Sequence, residues 1–600
     1  MHRRRSQPAA GQSLRVWRIS AAQTFRGVPV NAIHIVHRLL QFLPKDARRV
    51  IETIVLSLIA GGLAVFFLKA TDLLFQHTYG QLVLRSRSMF VAGSLLVISV
   101  SSLLVCILLK RNPDAAGSGI PQLKVGYWKE LGYVPLRPVL VKLTAGILSL
   151  GGGASLGREG PTLYMTGGIA SALSGLFGKP KRARRDGLTV GVAAGLAAAF
   201  NTPLAAITFV LEELVGDLGN RYLGAVVLAS VTGALVVQAA IGPQPAFNLP
   251  LLEITTWQLY VLVPFVALLA TGCGIALHKA ALRIRGALMR LRWRFKWLLP
   301  LAGGLLTWCI GIAAFLSTGR TGIFGLGYTD LSVALDEGIA WRLAGILTIG
   351  KLAATILSYG FGGCGGIFSP TLFIGGMCGF FAAGLCGPWL SLTPSDQVIL
   401  AGVGMCTCLC AVIRAPLTSM LIVFEMTHQF SLVPPLMLGV LICEAVVRLS
   451  GRENFYTCLL LQDGHELIKI NPPRDLESWH RIRAGDLIGS RVVAFESDAV
   501  KDARQVLEAC PFRCFPVEQE GTLIGLVTRD ELTLSVEENR PPRIEPAITC
   551  QPGQTIRDLA DKFIESPLGM LVVTSEQDGK ILGVLTLHDL LRAQAVVLDS

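Results

Sequence analysis

Two stretches of the chain are similar in sequence: Lys142-Leu-Thr-Ala-Gly-Ile-Leu-Ser-Leu-Gly-Gly-Gly153 and Lys351-Leu-Ala-Ala-Thr-Ile-Leu-Ser-Tyr-Gly-Phe-Gly362. The same offset of 209 residues places Gly157-Arg-Glu-Gly-Pro-Thr-Leu163 on Gly366-Ile-Phe-Ser-Pro-Thr-Leu372. At an offset of 213, two further pairs follow in the same order: Asn201–Leu204 on Arg414–Leu417, and Phe209–Glu212 on Ile422–Glu425. Ordered matches with one small gap predict an internal duplication.

The repeats lie in sequence whose composition is typical of membrane-spanning segments. Of the 600 residues, 52% are hydrophobic and only 16% are charged, against about 25% charged in an average globular chain. The mean hydropathy is +0.55, and the run from Leu352 to Ser395 contains no Asp, Glu, Lys or Arg. A helix that crosses a bilayer needs about 20 mostly apolar residues. Long apolar runs exclude an outer-membrane barrel, so we predict an all-α polytopic membrane domain.

The charges on two equivalent loops predict that the repeats have opposite orientations in the membrane. The first copy contains Lys179-Pro-Lys-Arg-Ala-Arg-Arg185, whereas the equivalent loop, Pro388–Asp396, has no basic residue. Basic loops stay on the cytoplasmic side. The sequence therefore predicts an inverted-topology repeat, in which ion sites form near the midplane from broken helices. The alternative is a parallel duplication with accidental loop charge.

The net charge of +13 does not indicate a nucleic-acid-binding protein. Residues 460–600 carry 15 basic and 23 acidic residues, whereas residues 1–49 carry ten basic residues and one acid. The positive surplus therefore belongs to the membrane portion, where it marks the cytoplasmic face. A nucleic-acid partner would require a basic soluble domain, so we predict none.

The sequence after about Leu460 has the composition of a soluble domain. Phe515–Thr528 and Leu571–Thr586 each read as strand, polar turn and strand, which predicts a tandem α/β pair. The sequence predicts a basic N-terminal segment at 1–49, a membrane domain at 50–459 with repeats at about 50–250 and 254–459, a linker at 460–482, and two α/β modules at 483–537 and 538–600.

The 14 cysteines and nine histidines show no spacing typical of a metal site. Cys406, Cys408 and Cys410 are candidates for a soft-metal site, but side chains two residues apart on a helix diverge, so packing is the favoured interpretation. We predict no metal and no required cofactor. No cleaved leader is expected either, because the first apolar run starts near Ile54.

Three glycine-rich turns at helix starts predict anion sites. They are Gly117-Ser-Gly-Ile-Pro121, Gly157-Arg-Glu-Gly-Pro161 and Gly365-Gly-Ile-Phe-Ser-Pro370. Each places a proline near the first helical turn and presents backbone N–H groups at the positive end of a helix dipole. Because irregular backbone at membrane depth persists only where it is buried or lines a cavity, these breaks indicate an ion pathway.

In these motifs the chain resembles the CLC family of chloride channels and chloride/proton exchangers. The resemblance covers nearly the whole chain from about residue 50, including Glu212-Glu213, Asn454-Phe-Tyr-Thr457 and a tandem pair of cystathionine-β-synthase (CBS) domains. It implies a CLC fold, transport of chloride and protons rather than enzymatic catalysis, and a homodimer with one pathway in each subunit. It also implies a multi-pass protein of the bacterial inner membrane, with the N-terminus and the CBS domains in the cytoplasm.

The resemblance implies roles for residues of the three motifs. The hydroxyls of Ser118 and Tyr456 are expected to coordinate a central chloride, together with the backbone amides of Ile367 and Phe368. Glu159 is expected to be the gating glutamate, whose carboxylate competes with chloride for the outer site. An isolated carboxylate at membrane depth is a functional-site hypothesis in its own right. The alternatives for Glu159 are a role at the helix N-terminus or an ion pair with the neighbouring arginine.

The resemblance also implies that Glu213 is the internal proton-transfer glutamate of exchangers, a position that is usually apolar in channels. The duplication separates it from its neighbour, because Glu212 has a counterpart in Glu425 whereas Glu213 is equivalent to Met426. We expect the duplicated glutamate to hold equivalent helix ends, and the unduplicated Glu213 to relay protons. The alternative is an ordinary charge at a cytoplasmic helix end.

The most favoured function is therefore chloride/proton antiport, and the alternative is a passive, gated chloride channel of the same fold. A membrane enzyme would require a clustered nucleophile and base, which the sequence does not suggest. In the CBS pair, the resemblance implies an adenine nucleotide held by a Thr-x-x-Asp motif. Thr586-Leu-His-Asp589 fits this motif, whereas Thr528-Arg-Asp-Glu531 has Glu in place of Asp. Nucleotide binding, a sensor role and a purely structural role of the pair therefore remain open.

Overall fold

The structure is a computed structural model that divides the chain into two compact units, residues 1–469 and 470–600. It describes residues 44–589 apart from single residues or short stretches within 176–183, 217–222, 248–256, 292–294, 466–481, 489–511 and 567–577, and at 388, 452 and 520. Most of the predicted basic N-terminal segment and most of the linker lie outside the described residues.

The first unit is helical, and apart from the three-residue helix Gln81–Val83 its described α-helices form two series of eight followed by one more. The first series is α1 Lys45–Phe75, α2 Arg87–Arg111, α3 Ile120–Trp128, α4 Leu136–Gly151, α5 Glu159–Ser174, α6 Arg185–Phe200, α7 Pro203–Phe209 and α8 Leu223–Ala240. The second is α9 Gln258–Arg290, α10 Leu299–Thr318, α11 Tyr328–Glu337, α12 Trp341–Gly360, α13 Phe368–Cys386, α14 Pro394–Ile413, α15 Pro416–Thr427 and α16 Val433–Ser450. The last helix is α17, Phe455–Gln462.

Within the described part of the chain, nine helical segments are long and apolar enough to cross a membrane. The two most enclosed are α13 and α14, with 83% and 94% of their apolar windows buried inside the protein. By contrast, α4, α5 and α6 have 16 residues each, about 24 Å, which is less than the thickness of a hydrocarbon core. The all-α membrane domain with broken helices is confirmed.

Equivalent turns of the two repeats have similar backbone conformations. Asn201 ends α6 with φ 57°, and the equivalent Arg414 ends α14 with φ 53°. Gly119 and Gly327 precede α3 and α11 with φ 95° and 81°, values that favour glycine. The turns that present the candidate site therefore recur in both copies of the inverted repeat.

The packing of α13 against α14 depends on glycine. A Cβ atom on Gly375 would clash with the carbonyl oxygen of Gly404, and one on Gly404 would clash with that of Gly375. Such close approach of two backbones is typical of helix packing in membranes. Cys406, Cys408 and Cys410 lie in the same hydrophobic core, in agreement with the packing interpretation.

Among its described residues, the second unit contains two three-stranded sheets of the same topology. Its elements are α18 Ala484–Leu487, β1 Phe495–Glu496, β2 Cys514–Gln519, β3 Thr522–Thr528, α19 Arg529–Glu538, β4 Thr549–Cys550, α20 Ile556–Glu565, β5 Met570–Thr574 and β6 Ile581–Thr586. In each sheet the first strand is parallel to the second, and the second is antiparallel to the third. The strand–turn–strand segments predicted from the sequence form β2–β3 and β5–β6.

Candidate functional site

The helix starts of α5 and α13 are held side by side by a short antiparallel bridge. The N–H of Gly157 donates to the carbonyl of Gly366 at 2.7 Å, and the N–H of Gly366 donates to the carbonyl of Gly157 at 2.6 Å. The first N–H groups of a helix have no partner within the helix and carry its positive dipole end. The bridge therefore brings two positive helix ends, one from each repeat, to the same place.

The carboxylate of Glu159 occupies this place. Glu159 is the first residue of α5 and is completely buried. Its Oε2 accepts from the backbone N–H of Ser369 at 3.3 Å, and its Oε1 accepts from the Ser369 hydroxyl. Because Ser369 is the second residue of α13, the carboxylate of one repeat lies on the helix N-terminus of the other. Ile367 and Phe368 lie at the same N-terminus, as its N-cap and first residue.

The hydroxyls of Ser118 and Tyr456 lie next to each other and close to α5. Both residues are buried, and apart from each other neither hydroxyl has a hydrogen-bond partner among the described residues. Gly160 makes room for Ser118, because a Cβ atom at Gly160 would clash with the Ser118 Oγ. A buried hydroxyl without a partner is costly. Two such donors beside two helix N-termini form a set that suits an anion.

A cavity of about 710 Å³ leads to Ser118. Gly117 and Tyr359 line it near the hydroxyl pair, and Tyr133 lines it elsewhere. The guanidinium of Arg184 lies 5.8 Å from the ring centre of Tyr133, which places this basic residue close to the lining of the cavity.

Glu213 is buried in a turn of π-helix, Val210–Val215, that continues α7. Its Oε1 accepts from Lys124 Nζ at 2.6 Å, and its Oε2 accepts from Asn454 Nδ2 at 2.8 Å. Turns of π-helix occur frequently at functional sites. Lys124 is also buried, so the pair is a salt bridge removed from solvent.

The neighbouring Glu212 has a different role, which it shares with its counterpart in the other repeat. It accepts from the backbone N–H of Leu417 and Thr418, at the start of α15, at 3.2 and 2.9 Å. Glu425 accepts from Leu204 and Ala205, at the start of α7, at 2.9 and 2.7 Å. The duplicated glutamates therefore cap equivalent helices across the repeats, in agreement with a structural role.

Two buried lysines, also equivalent in the repeats, hold the turns that precede α3 and α11. Lys142 donates to the carbonyls of Ala116 and Gly117 at 3.2 and 2.9 Å, next to Ser118. Lys351 donates to three carbonyls of the turn at 322–325, at 2.7 to 3.2 Å. Both lysines belong to the two stretches whose similarity indicates the duplication. An isolated lysine within an apolar membrane segment is itself a signal of function.

Three further residues near the site were not identified from the sequence: Lys124, Asn454 and Tyr328. Tyr328 is the first residue of α11, and its hydroxyl lies close to Glu159 and Ser369. The Arg158 guanidinium lies 5.6 Å from the centre of its ring. The sequence left open an ion pair between Glu159 and Arg158. In the structure, Arg158 forms its ion pair with Asp72, and the carboxylate of Glu159 is bonded to Ser369 instead.

In the second unit, the two Thr-x-x-acid motifs have different surroundings. The N–H and the hydroxyl of Thr586 both donate to Asp589 Oδ2, at 2.9 and 2.6 Å. Glu531 accepts from Arg540 Nη1 at 2.6 Å and from the N–H of Arg543 at 3.0 Å. The Arg540 guanidinium lowers the pKa of Glu531. The carboxylate that departs from the motif is thus committed to an internal ion pair.

Inverted repeats whose helix ends converge on a buried carboxylate and two hydroxyls define the first unit as an integral membrane protein of the ion-transporting class. The chain belongs to the voltage gated chloride channel family, whose model matches residues 101–448. A CBS domain model matches residues 543–596. The family resemblance drawn from the motifs is confirmed.

Named relatives and solved structures agree with this assignment. The H(+)/Cl(-) exchange transporter ClcA of Citrobacter koseri is 30% identical over 443 residues, which cover 71% of this chain and 91% of the relative. ClcA of Vibrio cholerae is 29% identical over 444 residues, covering 70% and 91%. A slow cyanobacterial Cl-/H+ antiporter has 27% identity and a TM-score of 0.62, covering 70% of this chain and 99% of its own. A eukaryotic CLC transporter, 21% identical with a TM-score of 0.57 over 93% and 98%, supports the fold.

Proposed function

We propose that this protein exchanges chloride for protons across the membrane. The observation that carries the proposal is the Glu159 carboxylate on the N-terminus of α13, where its negative charge takes the position that suits an anion. Protonation removes that charge, so a proton and a chloride can replace each other there. The names of the relatives support antiport, since those proteins are exchange transporters.

Within this proposal the remaining residues have distinct roles. Ser118 and Tyr456 donate their hydroxyls to a central chloride, and the N-terminal amides of Ile367 and Phe368 contribute to its binding. Glu213 passes protons between the cytoplasm and Glu159. Its burial next to Lys124 supports this role, because ionisable residues inside a membrane protein mark ion and proton pathways.

We propose the same boundaries, topology and assembly that the sequence analysis predicts. The cavity at Ser118 opens to the cytoplasm, which its proximity to the basic residue Arg184 supports. The protein is a homodimer of the bacterial inner membrane, and its activity is transport rather than catalysis. Cross-linking of the purified protein in detergent and in vesicles tests the dimer.

The CBS pair has one candidate nucleotide position, at Thr586 and Asp589. The ion pair of Glu531 with Arg540 argues against a second position at the first motif. Titration of the full chain with labelled ATP, with Asp589→Ala as the variant, separates nucleotide binding from a purely structural role. Deletion of residues 470–600 tests the sensor role, which full and unregulated transport by the shortened chain would exclude.

The test of antiport measures chloride and proton fluxes in proteoliposomes. A chloride gradient is expected to drive uphill proton movement by the unmodified protein. Glu159→Ala and Glu213→Gln are expected to lose proton movement while chloride still flows, and Glu337→Gln, an exposed glutamate of α11, is the matched control. Chloride flux without any proton movement by the unmodified protein would instead establish the passive channel.

A further inference from the structure

Glu213 contacts α3, which begins just after Ser118, and the N-cap residue of α17, the helix that contains Tyr456. Lys124, on α3, bonds Oε1 at 2.6 Å, and α3 begins directly after the turn that contains Ser118. Asn454, the N-cap residue of α17, bonds Oε2 at 2.8 Å, and Tyr456 follows two residues later. One carboxylate thus links the two elements that position the candidate anion ligands.

Asn454 has a second contact that makes this link direct. Its Oδ1 accepts from the N–H of Thr457 at 2.9 Å, which caps α17, while its Nδ2 donates to Glu213 and to the carbonyl of Ile413, at 3.2 Å. The side-chain amide is planar, so its two ends move together. A displacement of the amide relative to Glu213 therefore also displaces the first turn of α17, where Tyr456 lies.

The residue type supports a double role. Ser, Asp and Asn cap helices about equally well, so the cap alone does not require an amide. Among these three, only Asn combines an acceptor for the helix with a long amide donor for a carboxylate. Asp at this position would set a second carboxylate against Glu213.

We propose that Asn454 is a positioning residue that couples the charge of Glu213 to the anion site at Ser118 and Tyr456. An ionised carboxylate accepts from Lys124 and Asn454 at once. A protonated carboxyl carries an O–H that must donate, and neither the Lys124 ammonium nor the Asn454 amide nitrogen can accept from it, so the bond between the protonated oxygen and its donor is weakened. The bond to the charged ammonium is the stronger, and the amide is the donor that is released. A proton on Glu213 thereby frees α17 and weakens chloride binding.

The surroundings of Glu213 are consistent with this effect. Lys124 on α3 and Tyr456 on α17 are two of the charged or titratable groups that face it. Glu212, its neighbour on the same turn, is directed to α15, and Arg414, at the end of α14, donates to the carbonyl of Gly451. The inference rests on the proposed role of Glu213 as a proton carrier.

The test is a double-mutant cycle read by chloride titration calorimetry of the solubilised full chain. Asn454→Ser keeps the cap but lacks the reach of the amide, and Glu213→Gln imitates the protonated carboxyl. Each single variant is expected to weaken chloride binding about three- to tenfold, the value of one hydrogen bond. The double variant is expected to bind no more weakly than either single one. Ser86→Ala removes a cap that does not contact the anion site, and is expected to leave the Kd unchanged.

Two outcomes overturn the inference. One is unchanged chloride binding in Asn454→Ser, and the other is a double variant in which the two losses of chloride affinity multiply.

If Asn454→Ser does not fold, Asn454→Asp in the Glu213→Gln background keeps the cap, and it must then bind chloride as Glu213→Gln alone does. In proteoliposomes, Asn454→Ser is expected to move more chloride per proton than the unmodified protein. If the unmodified protein moves no protons, the proposed function fails whatever the cycle shows. If protons move and the losses multiply, only the role of Asn454 fails.

Discussion

Gly157 and Gly366 are equivalent positions of the two repeats, and each donates a backbone hydrogen bond to the other. Two equivalent residues exchange bonds in this way only where a local twofold axis passes between them. The side chains no longer match two residues further along, because the position of Glu159 in the first repeat is occupied by Phe368 in the second. The two repeats thus differ at the position of the proposed gate.

The space beside Ser118 gives a first prediction. Gly160→Ala places a methyl group against the Ser118 Oγ, so the hydroxyl must move and chloride binding is expected to fall at least tenfold. Titration calorimetry measures the change. Gly62→Ala in α1 meets no atom within 4 Å and is the control. Equal affinities of the two variants would remove Ser118 from the anion site.

The buried ion pair of Glu213 gives a second prediction. Lys124→Met leaves the Glu213 carboxylate without its cation, and loss of one partner of a buried pair costs about 3–5 kcal/mol. The free energy of unfolding in detergent measures this cost. The double variant Lys124→Met/Glu213→Gln is expected to be more stable than Lys124→Met. A single variant as stable as the unmodified protein would contradict the buried pair.

The reciprocal caps give a third prediction. Glu212→Gln and Glu425→Gln each weaken two backbone hydrogen bonds to a helix start of the other repeat, and Glu212→Gln also weakens the bond from the Thr418 hydroxyl at 2.6 Å. Each is expected to lower the free energy of unfolding by about 1–2 kcal/mol, with the larger loss for Glu212→Gln. Glu337→Gln serves as the exposed control. A loss confined to one of the two positions would show that the caps are not equivalent.

The ion pair in the second unit gives a prediction about pH. Because Arg540 lowers the pKa of Glu531 in the folded chain, the pair stabilises the fold fully above the unfolded pKa of about 4.3. This contribution is lost as the pH falls through the folded value. Glu531→Gln is therefore expected to unfold at lower denaturant concentration than the unmodified chain at pH 7, and the difference is expected to shrink below about pH 4. The exposed Glu537→Gln is the control, and a difference that does not change with pH would contradict the pair.

The sequence predicted those parts of the fold and site that depend on order along the chain. The duplication placed Glu159 and Ser369 at equivalent helix starts, and the helix-capping role expected of Glu212 and Glu425 agrees with their contacts. The roles proposed for Glu159, Glu213, Ser118 and Tyr456 stay predictions until the transport experiments are done.

Lys124 and Asn454 could not be predicted because their contacts depend on how distant helices approach. They lie 89 and 241 residues from Glu213, and nothing in the local pattern of α3 or α17 indicates which face meets it. Ala484, directly after the proposed boundary at residue 483, also makes contacts that order along the chain does not predict, because it packs with Leu571 and Leu585 of the second sheet.

The exchange of caps between the repeats has a consequence for synthesis. The N–H groups of Leu204 and Ala205 leave the ribosome some 220 residues before Glu425, the carboxylate that completes their helix. The first half thus enters the bilayer with an open helix start, and the second half closes it. Neither half is a finished module when made alone, and two separately translated halves, cut between residues 250 and 254, depend on each other to reach the native state.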